Sequence, residues 1–217
     1  MPYLENANLF LPEISEGKFE IPAIAPFTGL MPEKWRPVNE LNRPFSPEEG
    51  VQMFVDDRRL ARLWNCPSRY LESLRRASAV LSPDFSLLTD MPVVLSLYNH
   101  YRKHWLAAYW QLNGIGVIPT ICWANEKSFD WCFDGEPSKS IVAVSSVGTQ
   151  RYADTQAAFL KGYDAMLERL QPKLVLFWGK VPKQCRGTIQ PVEPFYQRFR
   201  SLGKKNCIFL ESESKKE

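Results

Sequence analysis

The sequence predicts an α/β protein with a mainly parallel sheet of five or six strands that alternate with helices. Short apolar runs recur between about residues 51 and 210, amphipathic helical segments separate them, and the runs are apolar without alternation. Strands that are apolar on both faces are typical of parallel sheets covered by helices. An open sheet and a partial barrel both fit this pattern.

The first 48 residues predict an extended, proline-rich arm. Prolines recur from Pro2 to Pro47 and exclude long helices and central strands, because proline lacks the backbone N–H that these elements use. Apolar residues between the prolines predict that the arm packs on the main domain, and a partner-binding tail is the alternative. We assign residues 1–48 to this arm, 49–210 to the α/β domain and 211–217 to a frayed, charged tail.

The strands are predicted from continuous apolar runs bounded by polar residues, glycine or proline. The five clearest runs are residues 51–55, 78–82, 116–123, 140–145 and 173–178. A final unit is predicted to add a helix over 195–202 and a sixth strand over 207–210.

The helices are predicted from apolar residues that recur every three or four positions. Residues 57–77 form the first, which Pro67 is expected to break in two. A long helix over 91–112 ends at Asn113 and Gly114, a favourable C-terminal stop. A short helix over 128–133 and a longer one over 154–170 complete the pattern.

The composition is that of an ordinary globular protein, with 45% hydrophobic and 24% charged residues. A net charge of +3 does not by itself indicate a nucleic-acid or membrane partner. The five cysteines lack the spacing of a zinc site or a disulfide framework. Because the sequence shows neither a signal peptide nor a spanning apolar run, we expect a cytoplasmic protein with no membrane contact.

A site is expected at the carboxyl ends of the strands, where ligands gather in open parallel sheets and barrels. Asp84 and Asp90 follow the second predicted strand and are the candidate catalytic pair, as acid and base or as ligands of Mg²⁺. The alternative is structural, with Asp90 capping the helix that follows and Asp84 ordering the loop.

The turn after the fourth strand resembles a small anion-binding loop. A glycine among hydroxyl residues lets backbone N–H groups approach a phosphate or carboxylate, and the candidates here are Ser145, Ser146, Gly148 and Thr149. The spacing matches neither a Walker loop nor a dinucleotide fingerprint, so a plain strand-to-helix turn is the alternative.

Polar residues of the long helix and of the loop before it complete the candidate ligand site. Asn99 and Arg102 are three residues apart and can face one ligand, together with Ser86. The alternative for Arg102 is an ion pair with a carboxylate such as Asp84 or Asp90. His100 and His104 have a spacing that can hold a metal, but no Glu follows His100 to complete a zinc-protease motif, so we assign no metal ligand.

The first helical segment is rich in arginine and interspersed with Trp64 and Tyr70. This pattern is typical of single-stranded nucleic-acid binding, and a solvated helix face explains it equally well. The arginines are Arg58, Arg59, Arg62, Arg69, Arg75 and Arg76.

A set of short motifs together resembles the family described as domain of unknown function 4417. The motifs lie within residues 80–87, 90–92, 101–102, 109–111, 117–120, 133–135 and 142–148, with Asn99. The resemblance covers about residues 50–180 and implies an origin in bacteria, phages or mobile elements, without an activity. The recurrent polar positions of the family match Asp84, Ser86, Asp90, Asn99, Arg102, Ser145 and Gly148.

Three functions remain open from the sequence. The first is binding of a polar, phosphate-bearing, nucleotide-like small ligand at the strand ends, with or without a reaction. The second is nucleic-acid binding in the replication or transfer of a mobile element. The third is a protein-interaction module that acts on a host defence component through the proline-rich arm.

Overall fold

The structure, a computed structural model, describes residues 13–192. Its strands in this range are β1 (Ser15–Glu16), β2 (Ile21–Pro22), β3 (Lys34–Pro37), β4 (Glu49–Gln52), β5 (Val80–Leu81), β6 (Val117–Ile118), β7 (Ile141–Ser145), β8 (Leu174–Trp178) and β9 (Ile189–Val192). Its α-helices are α1 (Asp57–Asn65), α2 (Leu71–Arg75), α3 (Val93–Leu112) and α4 (Ala153–Leu170). None of the helices in this range is long and apolar enough to span a membrane.

Two parallel sheets organise the fold. One has four strands in the order β3, β4, β5, β6, and the other has three in the order β7, β8, β9. A parallel bridge between Thr120 and Ala143 joins them, and the Ile121 N–H donates to the Ala143 carbonyl at 2.8 Å. The α/β class with parallel pairing is therefore confirmed, and the strands follow one another in chain order.

Two of the parallel strands, β3 and β9, lie outside the five that the sequence indicated most clearly. Each contains a proline, Pro37 in β3 and Pro191 in β9, which argues against a strand in a sequence pattern. Both lie at the edge of their sheet, where a missing N–H costs no ladder hydrogen bond. The helix and strand predicted within 195–210 lie outside the described residues, as do residues 1–12 of the arm and the tail.

Several predicted strands are shorter in the structure, for an identifiable reason. Within residues 78–82 the strand spans only Val80–Leu81, and within residues 116–123 it spans only Val117–Ile118, before the isolated bridge at Thr120. Pro83 and Pro119 follow these strands closely and cannot donate to a ladder. The first predicted strand is shifted and spans Glu49–Gln52.

The break predicted at Pro67 is observed. The chain leaves α1 after Asn65, forms a 3₁₀ turn over Pro67–Tyr70 and resumes as α2. The short helix predicted over 128–133 is a 3₁₀ helix over Glu126–Asp130.

One apolar core extends across both sheets. The largest cluster of buried side chains joins residues of the four-stranded sheet and α3 to Leu176 and Trp178 of β8. The rings of Trp35 and Trp178 lie 5.2 Å apart, edge to face, and Phe54 lies 5.0 Å from Trp178. β3 and the carboxyl end of β4 are therefore close to the carboxyl end of β8.

Candidate functional site

A cavity of about 290 Å³ opens where β5, β6 and β7 end. Its polar residues include Asp84 from the loop after β5, Cys122 from the segment after β6, and Ser145 at the end of β7. Thr155 and Phe159 reach it from the first turns of α4. Because parallel strands end at a common edge, residues distant in the chain meet here.

The walls of the cavity are mostly apolar and aromatic. Phe54, Trp123 and Phe159 supply rings, and Leu87 and Ile121 supply aliphatic surface. The Trp123 and Phe159 rings lie 5.3 Å apart, so they form one continuous wall. A few polar groups set among apolar walls are typical of a small-molecule site.

A buried hydrogen-bonded clamp fixes the two loops that carry Asp84 and Cys122. The backbone N–H of Thr120 donates to Ser82 Oγ at 2.8 Å, and the two hydroxyl oxygens lie 2.6 Å apart. Both residues are fully buried. The clamp ties the end of β5 to the segment after β6, so Asp84 and Cys122 have fixed positions.

Asp84 is the carboxyl group among the described residues that line the cavity, and its pKa is strongly raised. Burial raises the pKa of Asp84 to about 7, the nearby Asp57 acts in the same direction, and Lys103 opposes both. Burial also raises the pKa of the Cys122 thiol, which therefore remains protonated, and its Sγ donates to the Phe85 carbonyl at 3.9 Å. At neutral pH Asp84 can therefore either donate or accept a proton.

Asp90, the predicted partner of Asp84, is exposed and is not among the residues that line the cavity. The capping alternative for Asp90 is wrong, because the N-cap of α3 is Pro92 and none of the described side chains caps the start of this helix. The structure therefore brings only one of the two carboxylates to the cavity.

Ser86 and Asn99 hold the loop after β5 rather than lining the cavity. Ser86 donates its hydroxyl to Asp57 Oδ1 at 3.1 Å, and its backbone N–H approaches the same carboxylate at 3.2 Å. Asn99 Nδ2 donates to the Ser86 carbonyl at 2.7 Å. The loop is thereby attached to both α1 and α3.

Arg102 contacts aromatic rings. Its guanidinium lies 3.6 Å from the centre of the Phe85 ring and 5.3 Å from that of Tyr98, within the range of cation–π attraction. Asn99 and Arg102 therefore contact different groups of the protein.

The turn after β7 contributes hydroxyl groups to the cavity but few free N–H donors. The Val147 N–H donates to Ser145 Oγ at 3.2 Å, and the Thr149 N–H donates to the Ser146 carbonyl at 3.1 Å. Ser146 is buried and donates its hydroxyl to the Lys180 carbonyl at 2.8 Å. Gly148 has φ +88°, a conformation that favours glycine, and lies in open space. Ser145 and Thr149 line the cavity.

A buried charged cluster lies in the same core and was not identified from the sequence. Lys103 Nζ lies 2.5 Å from Glu136 Oε1 and donates to the Thr120 carbonyl at 3.0 Å, while His104 Nε2 lies 3.1 Å from the same carboxylate oxygen. All three side chains are almost completely buried. Lys103 stands between Arg102 and His104 in α3, so the local sequence does not mark it as a buried charge.

The charges in this cluster are mutually compensated. Burial alone would raise the pKa of Glu136, but Lys103 and His104 hold it below its ordinary value. Burial alone would lower the pKa of Lys103, and Glu136 raises it instead. The pair is therefore ionised, and the Lys103 charge also acts on Asp84.

The rings of His100 and His104 each lie within hydrogen-bonding distance of a backbone carbonyl group. His100 Nε2 lies 3.1 Å from the Asp134 carbonyl, and His104 Nδ1 lies 2.9 Å from the Pro22 carbonyl. Over residues 13–192, no cluster of three or more His, Cys, Asp or Glu side chains is arranged to hold a metal ion.

Comparison with known proteins gives a consistent result. The model of the family described as domain of unknown function, DUF4417, matches residues 14–195. The Gene 1 protein of Mycobacterium phage L5 is 40% identical over 177 residues, which cover 80% of this chain and 77% of the relative. The Gene 1 protein of Mycobacterium phage D29 is 39% identical over 177 residues, or 80% of this chain and 65% of the relative. No solved structure matches the chain.

Proposed function

This chain belongs to the DUF4417 family and is of phage type, and from that premise we propose that it binds a nucleotide-like small ligand in the cavity at the strand ends. The observation that supports the proposal is one carboxyl group, Asp84, with a pKa raised to about 7, set in a cavity with aromatic walls. A planar base would stack on these walls, and Asp84 would hydrogen-bond to its polar edge.

The volume of about 290 Å³ is close to the lower limit of small-molecule sites, about 300 Å³. None of the described residues that line the cavity is Lys or Arg, so a phosphate would lie at its mouth. There the hydroxyl groups of Ser145 and Thr149 would be its hydrogen-bond partners.

We further propose the partial barrel, rather than the open sheet, as the arrangement of the strands. The contact between Trp35 and Trp178 supports this, because it brings the edge strand of the first sheet against the second sheet. Strands that follow one another in chain order are also typical of barrels. In such an arrangement the cavity lies at the end where ligands bind.

The test is a thermal-shift screen of the full chain with nucleosides and nucleotides, each with and without Mg²⁺. At a ligand concentration about 100 times the Kd, we expect the Tm to rise by about 5–10 °C. Asp84→Asn is expected to abolish the shift, and Asp90→Asn, which changes an exposed carboxylate of the same loop, is the matched control. A screen in which no compound raises the Tm, or an Asp84→Asn variant that shifts like the wild type, would contradict the proposal.

A further inference from the structure

A second polar concavity of about 220 Å³ lies between α1, the 3₁₀ turn after it and the segment that follows β3. Three arginines line it, Arg59 and Arg62 from α1 and Arg69 from the 3₁₀ turn. Asn39, Asn42, Tyr70 and Ser73 add neutral hydrogen-bonding groups, and no carboxylate is among the described residues that line it. We call this concavity the arginine groove.

The three arginines converge because of the local fold. Arg59 and Arg62 are three residues apart on α1 and so lie on one face of that helix. Pro67 ends the helical path and turns the chain, which places Arg69 beside them. Val38, Leu41 and Leu63 form the floor of the groove, and all three are buried. The arginines therefore lie beside a well-packed apolar surface.

The three arginines of the groove have no acidic partner among the described residues, whereas four other arginines do. Arg36, Arg43, Arg169 and Arg186 each form an ion pair with a carboxylate. Within residues 13–192, Arg59, Arg62 and Arg69 form none, and Arg62 Nε instead donates to the Arg59 carbonyl at 3.4 Å. Three neighbouring guanidinium groups repel one another, and an anion bound between them would offset that repulsion.

Not all of the arginine-rich segment takes part. Arg75 Nε donates to the Asn113 carbonyl at 3.1 Å, and Arg76 donates to the Leu41 carbonyl at 3.0 Å, so both are engaged in the fold. Trp64, which the sequence offered as a stacking surface, is buried against Trp105. A ligand in the groove would therefore meet guanidinium and amide donors, and of the two aromatic residues only Tyr70.

We infer that the arginine groove is a phosphate-binding site, separate from the cavity at the strand ends. Guanidinium groups match the geometry of phosphate oxygens with paired N–H donors, and asparagine and serine side chains are common additional phosphate partners. The phosphate belongs either to a free phosphate compound or to the backbone of a nucleic acid.

The experiment measures binding to the full chain at low salt. Inorganic pyrophosphate is titrated by calorimetry, and fluorescein-labelled single-stranded and duplex oligonucleotides are titrated by fluorescence anisotropy. Binding of pyrophosphate alone identifies a free phosphate compound, and binding of either oligonucleotide identifies a nucleic-acid backbone. Both results support the site, whereas a chain that binds none of the three probes overturns it.

Substitutions locate the binding within the groove. Arg59→Gln and Arg69→Gln are each expected to weaken the affinity about tenfold, because each removes charge-assisted hydrogen bonds. For a single strand, each is also expected to reduce the slope of log K against log salt by about 0.7. Arg58→Gln removes an exposed arginine of the same helix from outside the groove, and its affinity is expected to equal that of the wild type.

Three outcomes would overturn the inference. One is that Arg58→Gln weakens binding as much as Arg59→Gln, since the interaction would then follow overall charge. A second is that Arg59→Gln and Arg69→Gln bind with wild-type affinity while their melting curves are unchanged. The third is that a polyglutamate peptide binds as tightly as the phosphate probes, since the groove would then select acidic protein segments.

Discussion

Lys103 Nζ lies 2.5 Å from Glu136 Oε1, and both side chains are almost completely removed from water. Burying two charges is costly, and further hydrogen bonds to the Thr120 carbonyl and to His104 offset part of that cost. The second carboxylate oxygen, Glu136 Oε2, has no hydrogen-bond partner among residues 13–192. Removal of either Lys103 or Glu136 would therefore leave the other charge buried without a counter-charge.

Glu136→Gln is expected to lower the free energy of unfolding by about 3–5 kcal/mol, because it leaves the Lys103 ammonium buried without a counter-charge. Urea denaturation at pH 7 measures the change. Glu126→Gln is the matched control, since Glu126 pairs with Lys161 at the surface, where water screens the interaction. Equal effects of the two substitutions would refute the structural importance of the buried pair.

Asp84→Asn is expected to stabilise the protein above pH 7 while it abolishes ligand binding. The raised pKa means that the folded state binds the Asp84 proton more tightly than the unfolded state, so its contribution to stability is lost as pH rises from 3.8 through about 7. Asparagine is neutral at every pH, and we expect a gain of about 1–3 kcal/mol at pH 8, after allowance for partial solvent screening.

The measurement is urea denaturation of the wild type and of Asp84→Asn at pH 5 and pH 8. The gain is expected to shrink toward pH 5, where Asp84 is protonated in the folded wild type. A difference that is the same at both pH values, or a variant less stable at pH 8, would show that ionisation of Asp84 costs the fold nothing.

The buried histidines are expected to make the protein less stable as pH falls below about 6.5. Burial lowers the pKa of both His100 and His104, Lys103 acts in the same direction, and Glu136 opposes this shift at His104. Below the ordinary imidazole pKa of 6.5, the unfolded chain therefore binds protons that the folded chain does not. The expected loss between pH 7 and pH 5.5 is about 1 kcal/mol for each histidine.

The pH dependence of the unfolding free energy is best measured in the Asp84→Asn background. Ionisation of Asp84 changes the stability with the opposite sign over the same pH range. His100→Gln keeps a hydrogen-bond donor toward the Asp134 carbonyl and removes one titrating group. Its pH slope is expected to be about half that of the background variant. An unchanged pH dependence would mean that His100 has the same pKa in the folded and the unfolded chain.

Gly162→Ala is expected to destabilise the protein, although alanine is normally the better helix former by about 1 kcal/mol. Gly162 lies within α4, and an added Cβ would overlap the indole ring of Trp123, a wall of the cavity. We expect a loss of about 1–3 kcal/mol together with weaker ligand binding, measured by thermal denaturation and thermal shift.

Glu168→Ala, at an exposed position of the same helix, is the control and is expected to change neither property. A Gly162→Ala variant as stable as the control would indicate that Trp123 can move away at little cost.

The parts of the fold that could be predicted are those that depend on local pattern. The strand predicted over 140–145 is found as Ile141–Ser145, because an unbroken apolar run needs only a parallel sheet around it. Asp84, Ser145 and Thr149 were predicted from their position after two strands, and they line one cavity because those strands end at a common edge.

What could not be predicted depends on contacts between distant parts of the chain. Ser86, Asn99 and Ser146 are polar residues after strands or on a helix, but their side chains bond to the protein itself. The partner of Lys103 comes from a loop 33 residues further along, and no pattern around either residue indicates the other. An edge strand that contains proline is likewise hard to predict. The missing N–H of proline disrupts pairing only when it lies on the side of the strand that is paired.

The contact between Trp35 and Trp178 has a consequence for how the chain folds. Because the strands of the two parallel sheets follow chain order, neighbouring strands pair locally, whereas this contact joins β3, the first strand of the series, to β8, near its end. Closing so long a loop is entropically costly, and its formation is therefore a late event in folding. Each newly synthesised strand of a sheet can pair with the strand before it. The Trp35 and Trp178 rings can meet only after β8 has been made.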